Sequence, residues 1–126
     1  MVNGKVLVVR RSQKEKFLAG HYELPVGKVD FSEHPEQSLK REFMEEVNLD
    51  VEVKNPFRIF TYVSHKGKRH TVDIVYMVRL NSDLQNLKLS EEHDDLKWVN
   101  IDTMGKVKMT DEMKTNIRGG FKLINN

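Results

Sequence analysis

The predicted helix from about Pro35 to Val47 constrains this chain more than any other feature. Leu39, Phe43 and Val47 recur every four residues, which predicts one buried apolar stripe along the helix. Proline suits the first position of a helix because its missing N–H has no intrahelical partner there. Beside the stripe, positions three and four apart bring three carboxylates onto one face: Glu42, Glu45 and Glu46. We therefore expect the apolar face to hold the helix while the acidic face points into a cleft.

Three carboxylates this close together repel one another unless a cation lies among them. Magnesium is a hard cation that takes oxygen ligands, so it would make the arrangement favourable. Manganese accepts the same ligands, whereas softer metals prefer histidine or cysteine, and the five histidines show no ligand spacing. The alternative is an acidic helix face that simply contacts water, which is the usual fate of a run of charges.

The glutamates belong to a longer pattern, G-x5-E-x7-R-E-x2-E-E, made by Gly27, Glu33, Arg41, Glu42, Glu45 and Glu46. This pattern resembles the Nudix box of the MutT-like Nudix hydrolases, G-x5-E-x7-R-E-U-x-E-E-x-G-U, where U is a bulky apolar residue. Phe43 and Leu49 occupy the U positions. Asn48 replaces a glycine that ends the helix in a left-handed conformation, and asparagine is the next most tolerant residue there.

The resemblance extends over roughly residues 3–124. Arg10 and Arg11 follow an apolar run, and residues 22–28 are similar to the family's approach to the box, with Val26 in place of a glycine. Later, Glu92-His93 and Trp98-Val99 are similar to a strand that follows the box in the family.

The periodicity predicts strands at Val6–Val9, Val51–Val63, Val72–Leu80 and Leu96–Ile101, with a charged turn at 65–69 between the middle two. Thr110 or Asp111 is expected to cap a last helix whose apolar face carries Met113, Ile117, Phe121 and Ile124. Strands mixed with two helices predict an α/β or α+β class. The resemblance implies the Nudix fold, a mixed β-sheet sandwiched between helices, in a single domain over residues 1–126.

Members of the family usually have a further strand before the equivalent of Val6–Val9, whereas five residues precede it here. Either the usual first strand is missing, or another segment or a partner chain replaces it. An open sheet edge favours pairing with another chain, so a homodimer is one expected outcome.

The composition excludes several other classes of function. The net charge of +2 is too small to argue for binding a nucleic-acid polymer. No apolar run approaches 18 residues, so no membrane span is predicted. Cysteine is absent, which fits the reducing cytosol, and we expect a cytoplasmic protein.

The resemblance also implies roles for particular residues. The expected metal ligands, for Mg²⁺ or Mn²⁺, are the Gly27 carbonyl and the carboxylates of Glu42, Glu45 and Glu46. Arg41 and Glu33 are expected to brace the loop against the helix, and the general base is either Glu42 or Glu92. Arg11 is the main candidate for binding phosphate and Lys28 a weaker one. Asp111 would either contact a base or cap the last helix.

These roles together predict divalent-metal-dependent hydrolysis of the diphosphate linkage in a nucleoside diphosphate-X compound. Residues 6–49 look closest to the branch of the family that cleaves nucleoside triphosphates, so the expected partner is a small nucleotide. Two alternatives stay open, a Nudix hydrolase of a non-nucleotide diphosphate and a non-catalytic nucleotide-binding module.

Overall fold

The computed structural model describes residues 1–25 and 28–124. Over these residues the elements are β1 (Val6–Arg11), β2 (Tyr22–Glu23), α1 (Pro35–Val47), β3 (Val51–Ser64), β4 (Arg69–Leu80), β5 (His93–Val99) and α2 (Asp111–Ile124). Short 3₁₀ turns lie at Leu84–Asn86 and Met104–Lys106. The α+β class and the predicted bounds of α1 are confirmed.

The described strands form two antiparallel sheets. In the first, β1 lies between β2 and β5, and its register with β5 runs from Val6 opposite Val99 to Arg11 opposite His93. The second is the hairpin of β3 and β4, whose register shifts on either side of Pro56 because proline has no N–H for the ladder. The resemblance implied one mixed sheet, whereas the hairpin forms a sheet of its own over the described residues.

The two faces of β1 bury two different clusters, because successive side chains of a strand point to opposite faces. Val8 belongs to a cluster with Ile117 and Phe121 of α2. Leu7 and Val9 belong to a cluster with Val47 at the end of α1. The three-stranded sheet is therefore sandwiched between the two helices.

Pairing moves the boundaries of two strands from their predicted positions. β1 continues to Arg11, and β5 begins at His93 rather than Leu96 and ends at Val99, before Ile101. The charged start of β5 resembles a loop in sequence, but Arg10 Nε lies 2.6 Å from Asp94 Oδ1 and holds the two strands together.

Residues 1–5 form a turn closed by a bridge between Val2 and Lys5, and no strand precedes β1 in the described part of the chain. An open apolar groove of about 260 Å³ is lined by both sheets and both helices, with Leu7, Ile74 and Phe121 among its walls. None of the helices described is long and apolar enough to cross a bilayer.

Candidate active site

The two ends of α1 position the acidic face that carries the predicted site. At the start, the Gln37 side chain accepts a hydrogen bond from His34 N at 3.0 Å, next to Pro35 in the first turn. At the end, Asn48 is left-handed with φ 59°, and its N–H donates to Met44 O. This confirms the conformation predicted for the residue that replaces glycine. The Asn48 amide also donates to Asn86 O at 2.9 Å, which fixes the helix end to the 3₁₀ turn at Leu84–Asn86.

Arg41 connects the loop before α1 to the carboxylates on the helix. Its Nε and Nη2 donate to the two oxygens of Glu33 at 2.9 and 3.0 Å, which is a bidentate pair. Its Nη1 donates to Glu42 at 2.8 Å and to Glu45 at 3.2 Å. Nη2 also donates to the carbonyl of Lys28 at 3.0 Å, so the same guanidinium holds the loop backbone. The planar donor fork of arginine suits this set of contacts, which lysine cannot reproduce.

These contacts and the surrounding burial shift the pKa of two carboxyls in opposite directions. The hydrogen bonds from Arg41, followed by the one from the Asp30 backbone, lower the pKa of Glu33 to about 2. Burial is the main cause that raises the pKa of Glu42, with the charges of Glu45 and Glu92 acting in the same direction and Arg41 opposing them. Glu33 is therefore a fixed anion, whereas Glu42 carries its charge at a cost.

The segment before β5 brings Glu92 to the acidic face of α1. Ser90 N donates to Glu46 O at 2.9 Å, and Ser12 N donates to Glu92 O at 2.9 Å. These two backbone contacts tie the segment to the end of α1 on one side and to the end of β1 on the other. The side chain of Glu92 makes no hydrogen bond or ion pair within residues 1–25 and 28–124.

A small pocket of about 60 Å³ lies where these elements meet. Its lining consists of Glu42, Glu45, Glu46, Ser90 and Glu92. The Ser90 Oγ atom is buried without a hydrogen-bond partner in the described part of the structure. All of these side-chain donors are oxygens, which is the set that a hard divalent cation prefers. The residues present therefore fit the implied metal chemically.

The carboxylates do not form a ready-made cage in this conformation. Among the residues described, no three acidic or histidine side chains converge closely enough to hold an ion. Arg41 draws Glu42 and Glu45 toward itself, and like charges have no reason to converge without a cation between them. Gly27, the predicted carbonyl ligand, lies outside the described residues.

Arg11 lies opposite His93 at the start of β5, one residue before the Ser12 N–H that donates to Glu92 O, but its guanidinium is already in use. Nε donates to Phe17 O at 2.7 Å, Nη1 to Glu23 at 3.3 Å and Nη2 to Glu15 at 3.3 Å. These bonds occupy three of the five N–H groups of an arginine. Glu23 also accepts from His93 Nε2 at 3.2 Å, and this buried pair fixes the start of β5 against β2. The Lys28 side chain is exposed.

The start of α2 differs from the prediction for Asp111. Thr110 Oγ1 accepts the Met113 N–H at 3.3 Å and so caps the helix, whereas Asp111 is its exposed first residue. One turn later, Asn116 is buried and accepts from Arg58 Nη1 at 2.5 Å. Arg58 also pairs with Glu112 at 2.7 Å. Sequence reasoning missed this contact, for which the one available signal was a polar residue beside Ile117 on the apolar face of α2.

The sequence is similar to known proteins over most of its length. The NUDIX domain family model matches residues 1–118. The bis(5'-nucleosyl)-tetraphosphatase (asymmetrical) of Rattus norvegicus is 26% identical over 108 residues, which cover 82% of this chain and 72% of the relative.

Among solved structures, a MutT NUDIX hydrolase from Burkholderia pseudomallei has a TM-score of 0.79 at 23% identity, over 94% of this chain and 90% of the other. An Ap4A hydrolase of C. elegans, solved as a binary complex, has a TM-score of 0.78 at 22% identity, over 96% and 86%. These structural matches confirm the Nudix fold. Nudix hydrolases generally use divalent metal ions. Since the family model covers nearly the whole chain, this protein belongs to the NUDIX domain family and is a Nudix-type pyrophosphohydrolase.

Proposed function

We propose that this protein hydrolyses a phosphoanhydride linkage of a nucleoside polyphosphate in a reaction that depends on Mg²⁺ or Mn²⁺. The observation that carries the proposal is the small pocket in which Glu92 meets the three carboxylates of α1. Four carboxylates and a serine line a pocket of about 60 Å³, and the carboxylates repel one another there. An interaction surface would not offset this repulsion, whereas a bound divalent cation would.

Glu42, Glu45 and Glu46 would hold the cation. The Gly27 carbonyl stays a proposed further ligand. A bound divalent cation would offset the negative charge that accumulates on the phosphate oxygens during the reaction. Arg41 keeps the carboxylates in place from the loop side through its bonds to Glu42 and Glu45, and Glu33 keeps Arg41 in place. We therefore assign Arg41 and Glu33 a positioning role.

Glu92 is the general base in this proposal. It lines the same pocket as the ligands, and its carboxylate is not held by another described side chain. Glu42, the other candidate, accepts a hydrogen bond from Arg41 Nη1 at 2.8 Å, so this contact fixes its carboxylate and leaves it less free to meet an attacking water. The Glu92 carboxylate accepts a proton from the attacking water, the new P–O bond forms, and the bridging P–O bond to the leaving phosphate breaks.

Arg11 would bind the phosphates next to the broken linkage. Its contact with Glu15 is long at 3.3 Å, and a phosphate offers stronger acceptors to the same N–H groups. We propose that the substrate's phosphates belong to a nucleotide, because the rat relative is named as a bis(5'-nucleosyl)-tetraphosphatase and the C. elegans structure as an Ap4A hydrolase. Nucleoside triphosphates, predicted from residues 6–49, belong to the same class of substrate.

A panel of phosphoanhydrides tests the proposal. Nucleoside triphosphates, dinucleoside polyphosphates and nucleotide sugars would be incubated with the purified chain and magnesium, and the products separated by ion-exchange chromatography. We expect cleavage of at least one nucleoside polyphosphate, and a loss of roughly 10² or more for Glu46→Gln, which replaces the charge of a proposed ligand. Binding without turnover of any compound, or equal turnover by the variant, would contradict it.

A further inference from the structure

Two chain segments that are far apart in sequence meet at one cationic surface beside Arg11. One is the loop of residues 12–20, and the other is the tip of the β3–β4 hairpin at residues 65–70. The rings of Phe17 and His65 stack with their centroids 6.2 Å apart. Phe17 O in turn accepts the Arg11 Nε hydrogen bond at 2.7 Å. The hairpin tip is thereby connected to the arginine that lies opposite the start of β5.

The charge of this surface is strongly one-sided. The two segments carry five lysine or arginine side chains, all exposed: Lys14, Lys16, Lys66, Lys68 and Arg69. Glu15 is the single carboxylate in these segments, and Arg11 already pairs with it. None of the five cations forms an ion pair with another residue in the described part of the chain. Elsewhere Lys40, Lys54 and Arg79 do pair with carboxylates.

The hairpin turn is built in a way that presents these charges. His65, Lys66 and Gly67 have φ values of 55°, 57° and 82°, and Lys68 N donates to His65 O at 3.2 Å. Glycine or asparagine is the usual residue at such positions, because the backbone of other residues is strained at a positive φ. A lysine therefore occupies a position that disfavours it, and its ammonium group is exposed at the tip.

We propose that loop 12–20 and the hairpin tip form a subsite for the phosphates that lie beyond the cleaved linkage of a long polyphosphate chain. This inference rests on the proposed function, since it extends the path of the substrate from the Glu92 pocket past Arg11. Each further phosphate adds negative charge that the acidic pocket cannot favour and that this cationic surface attracts. The preferred substrates are then nucleotides with four or more phosphates in a row rather than two.

The test compares the double variant Lys66→Gln/Lys68→Gln with the control Lys54→Gln. Lys54 lies on the same hairpin, on the order of 30 Å from the tip at the usual rise of a strand, and pairs with Glu52. Binding of inorganic tripolyphosphate and of pyrophosphate would be measured by calorimetry at low and high salt. Turnover would be measured on adenosine di-, tri- and tetraphosphate.

We expect the double variant to lose about 3- to 10-fold in tripolyphosphate affinity and in kcat/KM for the tetraphosphate, with little change for pyrophosphate and the diphosphate. High salt should remove most of the difference, because exposed charges are screened, and Lys54→Gln should behave as the unaltered protein. Equal losses for short and long chains, or no loss, would overturn the subsite. Tight binding of single-stranded RNA, together with polyphosphate binding that does not depend on chain length, would also overturn it. Loss of turnover on every substrate with the length-dependent binding intact would instead count against the proposed function.

Discussion

Glu42→Gln should make the protein more stable in the absence of metal. It should also reduce the stabilisation that the protein gains when metal binds. Burial and the neighbouring charges of Glu45 and Glu92 raise the pKa of Glu42, so its ionised form is unfavourable in the folded state. Glutamine removes the charge and keeps an oxygen that accepts from Arg41 Nη1, which lies 2.8 Å from the present carboxylate. The variant therefore loses repulsion and keeps the contact.

The magnitude follows from the size of the pocket. Between effective dielectric constants of about 20 and 80, two unit charges across such a small pocket repel by on the order of 1 kcal/mol per pair. Weaker attraction to Arg41 offsets part of this gain. We expect a net gain of about 0.5–1 kcal/mol, or roughly 2–5 °C in Tm for a domain of this size.

Magnesium should stabilise the unaltered protein more than the variant, and so reduce or remove the difference in stability between them. A ligand at ten times its Kd adds about 1.4 kcal/mol to the stability of the protein that binds it, and the variant should gain less than about half of that. Differential scanning calorimetry in chelator and in magnesium measures both effects. The control is Glu36→Gln, an exposed position on the same helix, which should match the unaltered protein within about 2 °C in both buffers. A Glu42→Gln protein that melts lower in chelator, or that gains as much from magnesium as the unaltered protein, would refute the reasoning.

Three other predictions concern the base, the brace and the start of α2. Glu92→Gln should lower kcat by about 10²–10⁴ with no recovery at high magnesium, since a base is not replaced by metal; recovery in a titration of kcat against magnesium would make Glu92 a ligand. The low pKa of Glu33 contributes stability above its ordinary value of 4.5 that is lost as the pH falls toward about 2. Glu33→Gln should therefore weaken the pH dependence of the free energy of unfolding, measured with denaturant, between pH 4.5 and about 2. An unchanged pH dependence would contradict the bracing role of Glu33. Arg58→Met should cost about 1–3 kcal/mol in thermal unfolding, because the buried Asn116 oxygen loses its donor; an unchanged Tm would show that water replaces it.

Local signals in the sequence were sufficient for α1. The four-residue apolar spacing, Pro35 at the start and Asn48 at the end are properties of a few neighbouring residues, and the structure confirms the predicted bounds. The hairpin was predicted for the same reason, although its strands are longer than expected because β3 and β4 pair up to Ser64 and Arg69.

The features that were not predicted depend on contacts between distant residues. The position of the Glu92 segment depends on bonds from Ser90 to Glu46 and from Ser12 to Glu92, and no local pattern encodes them. Asn116 becomes buried because Arg58, far away in sequence, supplies its hydrogen bond. The separation of the hairpin from the three-stranded sheet is likewise a property of the whole chain.

The most direct test of metal-dependent phosphoanhydride hydrolysis is the initial rate on the best nucleoside polyphosphate as a function of free magnesium, with manganese in parallel. Our account predicts no turnover in excess chelator, a saturable rise as the cation is added, and a curve displaced to higher concentration for Glu46→Gln. Full turnover in excess chelator would contradict it, as would a Glu46→Gln curve that coincides with that of the unaltered protein.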